Sequence, residues 1–245
     1  MSSALEVDAR SGRVLSAVPV AGDRRRHPAP AHLRFFHGPM DCGKSTLALQ
    51  VDHNQSRQGR SGLLLTQGDR SAQPRISSRV GLCREAVEVD VGTDLVLLVR
   101  ERWAGGTRVD YLIVDEAQFL TAAQVDQLAE LVDESHVDVY AFGLTTDFRT
   151  RLFPGTQRLL EVADDVQRVQ VEVLCWCGLP GLLNARVVDG AMVREGETVV
   201  VADTAPTPAP GERDAEVHYQ VLCRRHHVLG QLGPTAAGPG QLALP

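Results

Sequence analysis

The segment from Gly38 to Ser45 limits the possible folds of this chain more than any other part of the sequence. It fits the pattern G-x-x-x-x-G-K-[ST], with the residues Gly38, Pro39, Met40, Asp41, Cys42, Gly43, Lys44 and Ser45. In this pattern the backbone N–H groups turn inward around phosphate oxygens, and the following helix adds its positive N-terminal end. The lysine reaches the β- and γ-phosphates, and the final hydroxyl binds Mg²⁺. The segment therefore predicts a nucleotide-binding P-loop.

The distribution of basic residues supports this prediction. Lys44 is the only lysine in the chain, and the other 24 of the 25 basic residues are arginines. A compact ammonium suits the centre of a phosphate loop, where the wider planar guanidinium of arginine would fit poorly. The one lysine thus stands at the position where the loop requires it.

Short apolar runs alternate with longer amphipathic stretches around this loop. The runs typical of buried strands are 33–37, 62–66, 109–114 and 137–143. The patterns typical of helices are 45–55, 94–103 and 122–134, the last with Thr121 as its N-cap. Such alternation predicts an α/β fold, a P-loop NTPase-like parallel sheet with helices on both faces.

The composition changes along the chain and divides it into four expected parts. Polar residues rich in arginine and proline open the chain, and after Val169 cysteine, glycine and β-branched residues replace the helical patterns. We expect a flexible leader at 1–31, a P-loop kinase or NTPase domain at 32–168, a small second domain at 169–229 and a flexible tail at 230–245.

Composition also excludes some classes of partner. The formal net charge is −6, so no basic surface for nucleic acid is expected. No apolar run approaches the roughly 18 residues that a membrane span needs, and no signal peptide opens the sequence. Five cysteines, an odd number, favour reduced thiols over a disulfide framework. We expect a soluble cytoplasmic protein.

Two carboxylates follow the third predicted strand. Asp115 stands at the carboxyl end of an apolar run, where this kind of fold places its second magnesium ligand. The next residue, Glu116, would face the group that attacks the γ-phosphate. It would act as a general base for a hydroxyl in a kinase, or orient water in an ATPase. A non-catalytic nucleotide-binding regulator is a third alternative.

Two short ligand pairs frame the expected second domain. Cys175 and Cys177 form a C-x-C pair, and Cys223 and His226 form a C-x-x-H pair. Thiolates together with an imidazole suit a closed, tetrahedral, structural Zn²⁺ site.

Several segments, taken together and in order, carry a family resemblance. They are Gly38–Thr46, Asp69-Arg70, Ser77–Leu82, Asp115–Phe119, Gly143-Leu144, Asp147–Arg149, and Tyr219 with Cys223. In this order they resemble the type II thymidine kinases, which have a P-loop kinase domain and a zinc-holding domain whose loop, the lasso, closes over the nucleoside.

The resemblance implies roles for particular residues. Glu116 would be the base on the 5′-hydroxyl of thymidine, with ATP·Mg²⁺ on the P-loop. The remaining ATP contacts implied are Asp69, Arg70, Asp115 and Gln118. The thymidine contacts implied are Phe119, Leu144, Val200 and Tyr219.

The resemblance also implies an assembly and a metal. The family is homotetrameric, and dTTP is the expected feedback ligand. Its zinc ribbon usually has two C-x-x-C pairs, whereas here the first pair is one residue shorter and the last ligand is a histidine. His226 keeps the family's offset from Cys223 and His227 does not, so we choose His226.

Overall fold

The computed structural model describes residues 30–67, 74–170, 172–196 and 217–234. Its strands, in chain order, are β1 (Leu33–Gly38), β2 (Gly62–Gln67), β3 (Arg75–Ser77), β4 (Cys83–Glu85), β5 (Val87–Val89), β6 (Tyr111–Val114), β7 (Asp138–Leu144), β8 (Asp165–Arg168), β9 (Leu183–Val188), β10 (Ala191–Val193) and β11 (Val217–Leu222). Its helices are α1 (Lys44–Arg57), α2 (Leu95–Ala104), α3 (Ala122–Ser135), α4 (Pro154–Val162) and α5 (Arg224–Leu229).

A six-stranded sheet with the order β5-β2-β6-β7-β1-β8 forms the centre of the fold, and every pairing in it is parallel. The four predicted strands are confirmed as β1, β2, β6 and β7, the innermost strands of this sheet. The edge strands β5 and β8 were not predicted, because neither contains the apolar run that marks a central strand.

Helices cover both faces of the sheet, as predicted. In β6, Leu112 and Val114 join a core that includes residues of α2, α3 and α4, whereas Tyr111 and Ile113 join a second core that includes residues of α1. Because successive strand residues point to opposite faces, this apolar strand supplies both cores at once.

The predicted helices are confirmed as α1, α2 and α3, and α4 was not predicted. Thr121 is the N-cap of α3: its hydroxyl accepts from the Gln124 backbone N–H at 3.1 Å. The Gln124 side chain accepts in return from the Thr121 backbone N–H at 3.0 Å, which completes a capping box. Among the described residues, no helix combines the length and apolarity needed to cross a membrane.

A smaller antiparallel sheet with the order β10-β9-β11 follows the large one. Its strand β9 touches the P-loop, because the Asn184 side-chain oxygen accepts from the Met40 backbone N–H at 2.8 Å. Most of the expected leader and tail, at 1–29 and 235–245, lies outside the described residues, as do Asp69, Arg70 and Val200.

The start of α4 packs against the turn that follows β6 more closely than a side chain would allow. A Cβ atom at Gly155 would lie 2.6 Å from the Leu120 carbonyl oxygen, 2.7 Å from that of Ala117 and 2.9 Å from that of Gln118. These are backbone atoms, which cannot swing aside as a flexible side chain can. Only glycine fits here without moving the turn.

We therefore predict that Gly155→Ala destabilises the protein, although alanine normally favours a helix over glycine by about 0.5–1 kcal/mol. The free energy of unfolding, measured by denaturant titration, should fall by about 1–3 kcal/mol because the turn and α4 must separate. The control is Gly92→Ala, where the nearest atom would lie 3.5 Å away. Equal stability of the two variants would contradict the prediction.

Candidate functional site

The P-loop joins the carboxyl end of β1 to the first residue of α1. Its backbone turns at Gly43, which has a φ of 80° in the left-handed region and directly precedes Lys44. Gly38 is also constrained, because a Cβ atom there would lie 2.6 Å from the Cys42 sulfur. The two glycines thus meet different needs, one a backbone angle and the other a close approach.

Lys44 lies largely buried inside this loop. Its ammonium donates to the Pro39 carbonyl oxygen at 2.8 Å and lies 3.8 Å from the Cys42 sulfur. The P-loop sequence predicts a lysine that reaches phosphate, and here a backbone carbonyl of the loop itself binds the ammonium. An incoming phosphate would offer this ammonium a stronger, ionic partner.

Asp115 follows β6 and is buried, 5 % exposed. Burial raises the pKa of its carboxyl to about 6, and the neighbouring charge of Glu116 adds to the rise. A hydrogen bond with Ser45 opposes the shift. A buried carboxylate beside a hydroxyl is a donor set that suits Mg²⁺, since a cation would offset the cost of burying the negative charge.

Glu116 begins a tight turn at the same edge of the sheet. Its φ of 54° places a non-glycine residue in the left-handed region, and a short 3-10 helix, Ala117–Phe119, follows it. The Gln118 side-chain amide donates to the Glu116 carboxylate at 2.5 Å, and its oxygen accepts from the Leu144 backbone N–H at 2.9 Å. This contact joins the residues that follow β6 to the end of β7.

The residues expected to contact thymidine belong to separate elements. Leu144 ends β7 and is bonded to Gln118, while Phe119 packs edge-on against Phe153 with the ring centroids 5.5 Å apart. Tyr219 lies in β11, and its hydroxyl accepts from the Arg186 guanidinium at 2.9 Å.

Sequence reasoning assigned no role to three buried residues beside these. The Arg186 guanidinium lies 4.0 Å from the ring centroid of Phe148, and Arg186, Phe148 and Asn184 are each no more than 3 % exposed. A signal was present in the sequence, because Asn184 and Arg186 are two polar residues that alternate with apolar ones in a short run. A strand there would have placed both on one face.

Comparison with known proteins identifies the family of this site. A family model for thymidine kinase matches residues 31–227. A thymidine kinase of Streptomyces coelicolor is 56 % identical over 195 residues, covering 80 % of this chain and 88 % of that protein. A thymidine kinase of Cutibacterium acnes is 53 % identical over 203 residues, covering 83 % of this chain and 91 % of that protein. The chain belongs to the thymidine kinase family.

In this thymidine kinase family member, the four predicted metal ligands come together. The ligand atoms of Cys175, Cys177, Cys223 and His226 all lie within 4.8 Å of one another. The Cys175 sulfur is 3.3 Å from His226 Nδ1, and the sulfurs of Cys177 and Cys223 are 3.9 Å apart. Since Zn–S and Zn–N bonds of about 2.0–2.3 Å give ligand separations of this size in a tetrahedron, the cluster fits Zn²⁺.

Thiol ionisation also suits a metal at this cluster. Burial opposes ionisation of Cys175, but hydrogen bonds from the backbone N–H groups of Cys177 and Cys223 outweigh it and lower the pKa of that thiol to about 6. All five cysteines are free thiols, and Cys42 and Cys83 are not members of the cluster. The thiolate, which is the form that binds metal, is thus favoured at this position.

The two adjacent histidines of α5 point to different partners. His226 joins the cysteines, and the Trp176 ring stacks on it with the centroids 4.2 Å apart. His227 bonds through Nε2 to the Phe148 carbonyl oxygen at 3.2 Å, so this nitrogen carries the proton. Burial lowers the pKa of His227, which favours its neutral form.

We predict that the purified protein contains about one zinc ion per chain and that His226→Ala loses most of it, because three ligands bind a structural zinc more weakly than four. The measurement is elemental analysis of dialysed protein. His227→Ala is the matched control and should keep its zinc. A loss of zinc from the His227 variant alone would assign the fourth ligand to that residue and contradict the prediction.

Proposed function

We propose that this chain is a thymidine kinase, a phosphotransferase that moves the γ-phosphoryl group of ATP to the 5′-hydroxyl of thymidine and yields dTMP and ADP. Membership of the family supports the proposal. The observation that carries it is that the P-loop follows β1 and the pair Asp115 and Glu116 follows β6 at the same edge of the parallel sheet, with Ser45 beside Asp115. A nucleotide on the loop would therefore have its γ-phosphate beside both carboxylates.

In this proposal the loop and Lys44 position the phosphates. The loop N–H groups and the N-terminal end of α1 bind phosphate oxygens, and the ammonium leaves the Pro39 carbonyl for the β- and γ-phosphates. Ser45 and Asp115 would hold Mg²⁺, which, when bound, neutralises charge on the transferring phosphate. Phosphoryl transfer needs little covalent help from the protein, so this positioning supplies most of the catalysis.

Glu116 is the proposed general base. Its carboxylate takes the proton of the 5′-hydroxyl while that oxygen bonds to the γ-phosphorus, and the bond from the γ-phosphorus to the bridging oxygen of ADP breaks. The same carboxylate beside a bound water would give an ATPase. A nucleoside held in place of that water is what makes the reaction a kinase reaction.

The remaining contacts of the substrates belong to the same proposal. Phe119, Leu144 and Tyr219 would line the thymidine pocket, together with Val200 of the lasso. Asp69 and Arg70 would complete the ATP site.

The proposal extends to organisation and regulation. Residues 32–168 would form the kinase domain and 169–229 the zinc-ribbon and lasso domain, with a structural Zn²⁺ on Cys175, Cys177, Cys223 and His226. Four protein ligands leave no open position for zinc catalysis. We further propose a cytoplasmic homotetramer that dTTP inhibits. The free thiols of the chain support the cytoplasmic location. The family resemblance supports the tetramer and the inhibition by dTTP.

We predict that Lys44→Arg abolishes most kinase activity although it preserves the charge. The planar guanidinium cannot take the place of an ammonium inside so tight a loop, and kcat should fall by at least about 10²-fold. The matched control is the opposite exchange at an exposed position of α1, Arg57→Lys, which should leave kcat unchanged. Near-normal turnover of Lys44→Arg would contradict the proposed role.

We predict that Glu116→Gln keeps ATP binding and loses at least about 10²-fold in kcat, the usual lower range for loss of a general base. The assay follows γ-labelled ATP with and without thymidine. A kinase produces labelled dTMP only with thymidine present, whereas an ATPase releases labelled phosphate in its absence. ATP binding by the unmodified chain with no turnover on any nucleoside would point to a regulator. Glu134→Gln, at an exposed glutamate of α3, is the control for a lost charge.

A further inference from the structure

The proposed base, Glu116, needs a second group to fix its direction. It is the second residue after β6, and its own backbone lies in the left-handed region with a φ of 54°. A carboxylate on a turn at the end of a strand has several rotamers open to it, and only some of them face the nucleotide. Misplacement of a reacting group by about 1 Å costs on the order of 10²-fold in rate.

Gln118 is the residue in contact with that carboxylate. Its side chain is fully buried, and its amide nitrogen donates to Glu116 Oε2 at 2.5 Å. The direction of the amide is fixed by its other bond, because the Leu144 backbone N–H can only donate and therefore requires the amide oxygen, at 2.9 Å. The NH₂ group must then face Glu116.

The amide is itself held in place by packing. A Cβ atom at Gly143 would lie 3.0 Å from both the Gln118 backbone nitrogen and its side-chain oxygen. The amide therefore occupies space that only a glycine at position 143 leaves open. The Leu144 carbonyl oxygen in turn accepts from the buried Thr156 hydroxyl of α4 at 2.7 Å. The amide thus connects the carboxylate to the end of β7, which is also bonded to α4.

We propose that Gln118 is a positioning residue for the general base. The end of β7 holds its amide in place, and the amide in turn keeps the Glu116 carboxylate in one rotamer. This inference rests on the proposed function, since it gives Glu116 the role of base. It differs from the ATP contact that the family resemblance implies for Gln118, because both ends of this amide are already bonded inside the protein.

Two substitutions test the hydrogen bonds of the amide to Glu116 and to Leu144. Gln118→Glu keeps the shape and the oxygen that the Leu144 N–H needs, and it replaces the amide donor by a second carboxyl group that competes with Glu116 for a proton. Gln118→Met keeps the length, removes both bonds and adds no charge. We expect both variants to lose about 10- to 100-fold in kcat. The KM values for ATP and thymidine should stay within about threefold, since the lost interaction acts on the base rather than on bound substrate.

A double-mutant cycle with Glu116→Gln tests whether Gln118 acts through the base. When Glu116 has already been replaced, Gln118→Met should cost less than about threefold further, because there is no base left to position. The control is Gln124→Met, the same exchange at a buried glutamine whose amide donates to backbone carbonyls of Asp90 and Thr93. It should lower the melting temperature and leave kcat near the wild-type value. In the Glu116→Gln background it should likewise leave the remaining kcat unchanged.

Two results would overturn the inference. One is a rise in the KM for ATP with kcat unchanged, which would make Gln118 a nucleotide contact. The other is an equal loss of kcat from Gln118→Met whether or not Glu116 is present, which would make its role structural. If Glu116→Gln itself keeps its turnover, the proposed function fails instead. Circular dichroism of each variant verifies that it is folded.

Discussion

The parallel pairing of β1, β6 and β7 is the constraint on which the candidate site depends. Parallel strands end at the same edge of a sheet, so the segments that follow them are brought together whatever their separation in sequence. The register pairs Gly38 at the end of β1 with Leu144 at the end of β7, and Val114 of β6 with Ala141 of β7. The P-loop, the two carboxylates and Leu144 therefore share one edge.

Burial at this edge then determines how the polar groups behave. Lys44, Asp115 and Gln118 are each at most 8 % exposed, and a polar group that has left water must find partners in the protein or in a ligand. Lys44 uses a carbonyl of its own loop, and Gln118 uses Glu116 and β7. Asp115 has a hydroxyl and the nearby Lys44 charge, yet the pKa of its carboxyl still rises to about 6. Burial of this carboxyl is therefore only partly compensated, although it also accepts from the Glu116 backbone N–H at 3.1 Å, and a cation would stabilise its charged form.

The parts of the fold that were predictable are those in which local pattern and tertiary structure agree. The central strands are apolar because both of their faces are buried, and Thr121 and Gln124 form a capping box that depends on neighbours in sequence alone. By contrast, β8 (Asp-Val-Gln-Arg) has no apolar pattern and is placed by its pairing with β1. The P-loop and metal-ligand residues were likewise predictable, since their spacing carries the chemistry. The long-range contacts of Gln118, Asn184 and Arg186 were not, because their partners Leu144, Met40 and Tyr219 lie at least 26 residues away in sequence.

The small sheet and α5 connect the Cys/His cluster to the P-loop and to the loop after β7. Its strand β9 is bonded to the P-loop through Asn184 and Met40, and its neighbour α5 reaches the Phe148 carbonyl through His227. The preceding residue of α5, His226, belongs to the Cys/His cluster. Adjacent residues of one short helix therefore face the cluster and the loop after β7, and a six-residue helix is too short to hold its shape without such tertiary anchors. A metal that held His226 would therefore also hold His227 against the Phe148 carbonyl, through the backbone of α5 alone.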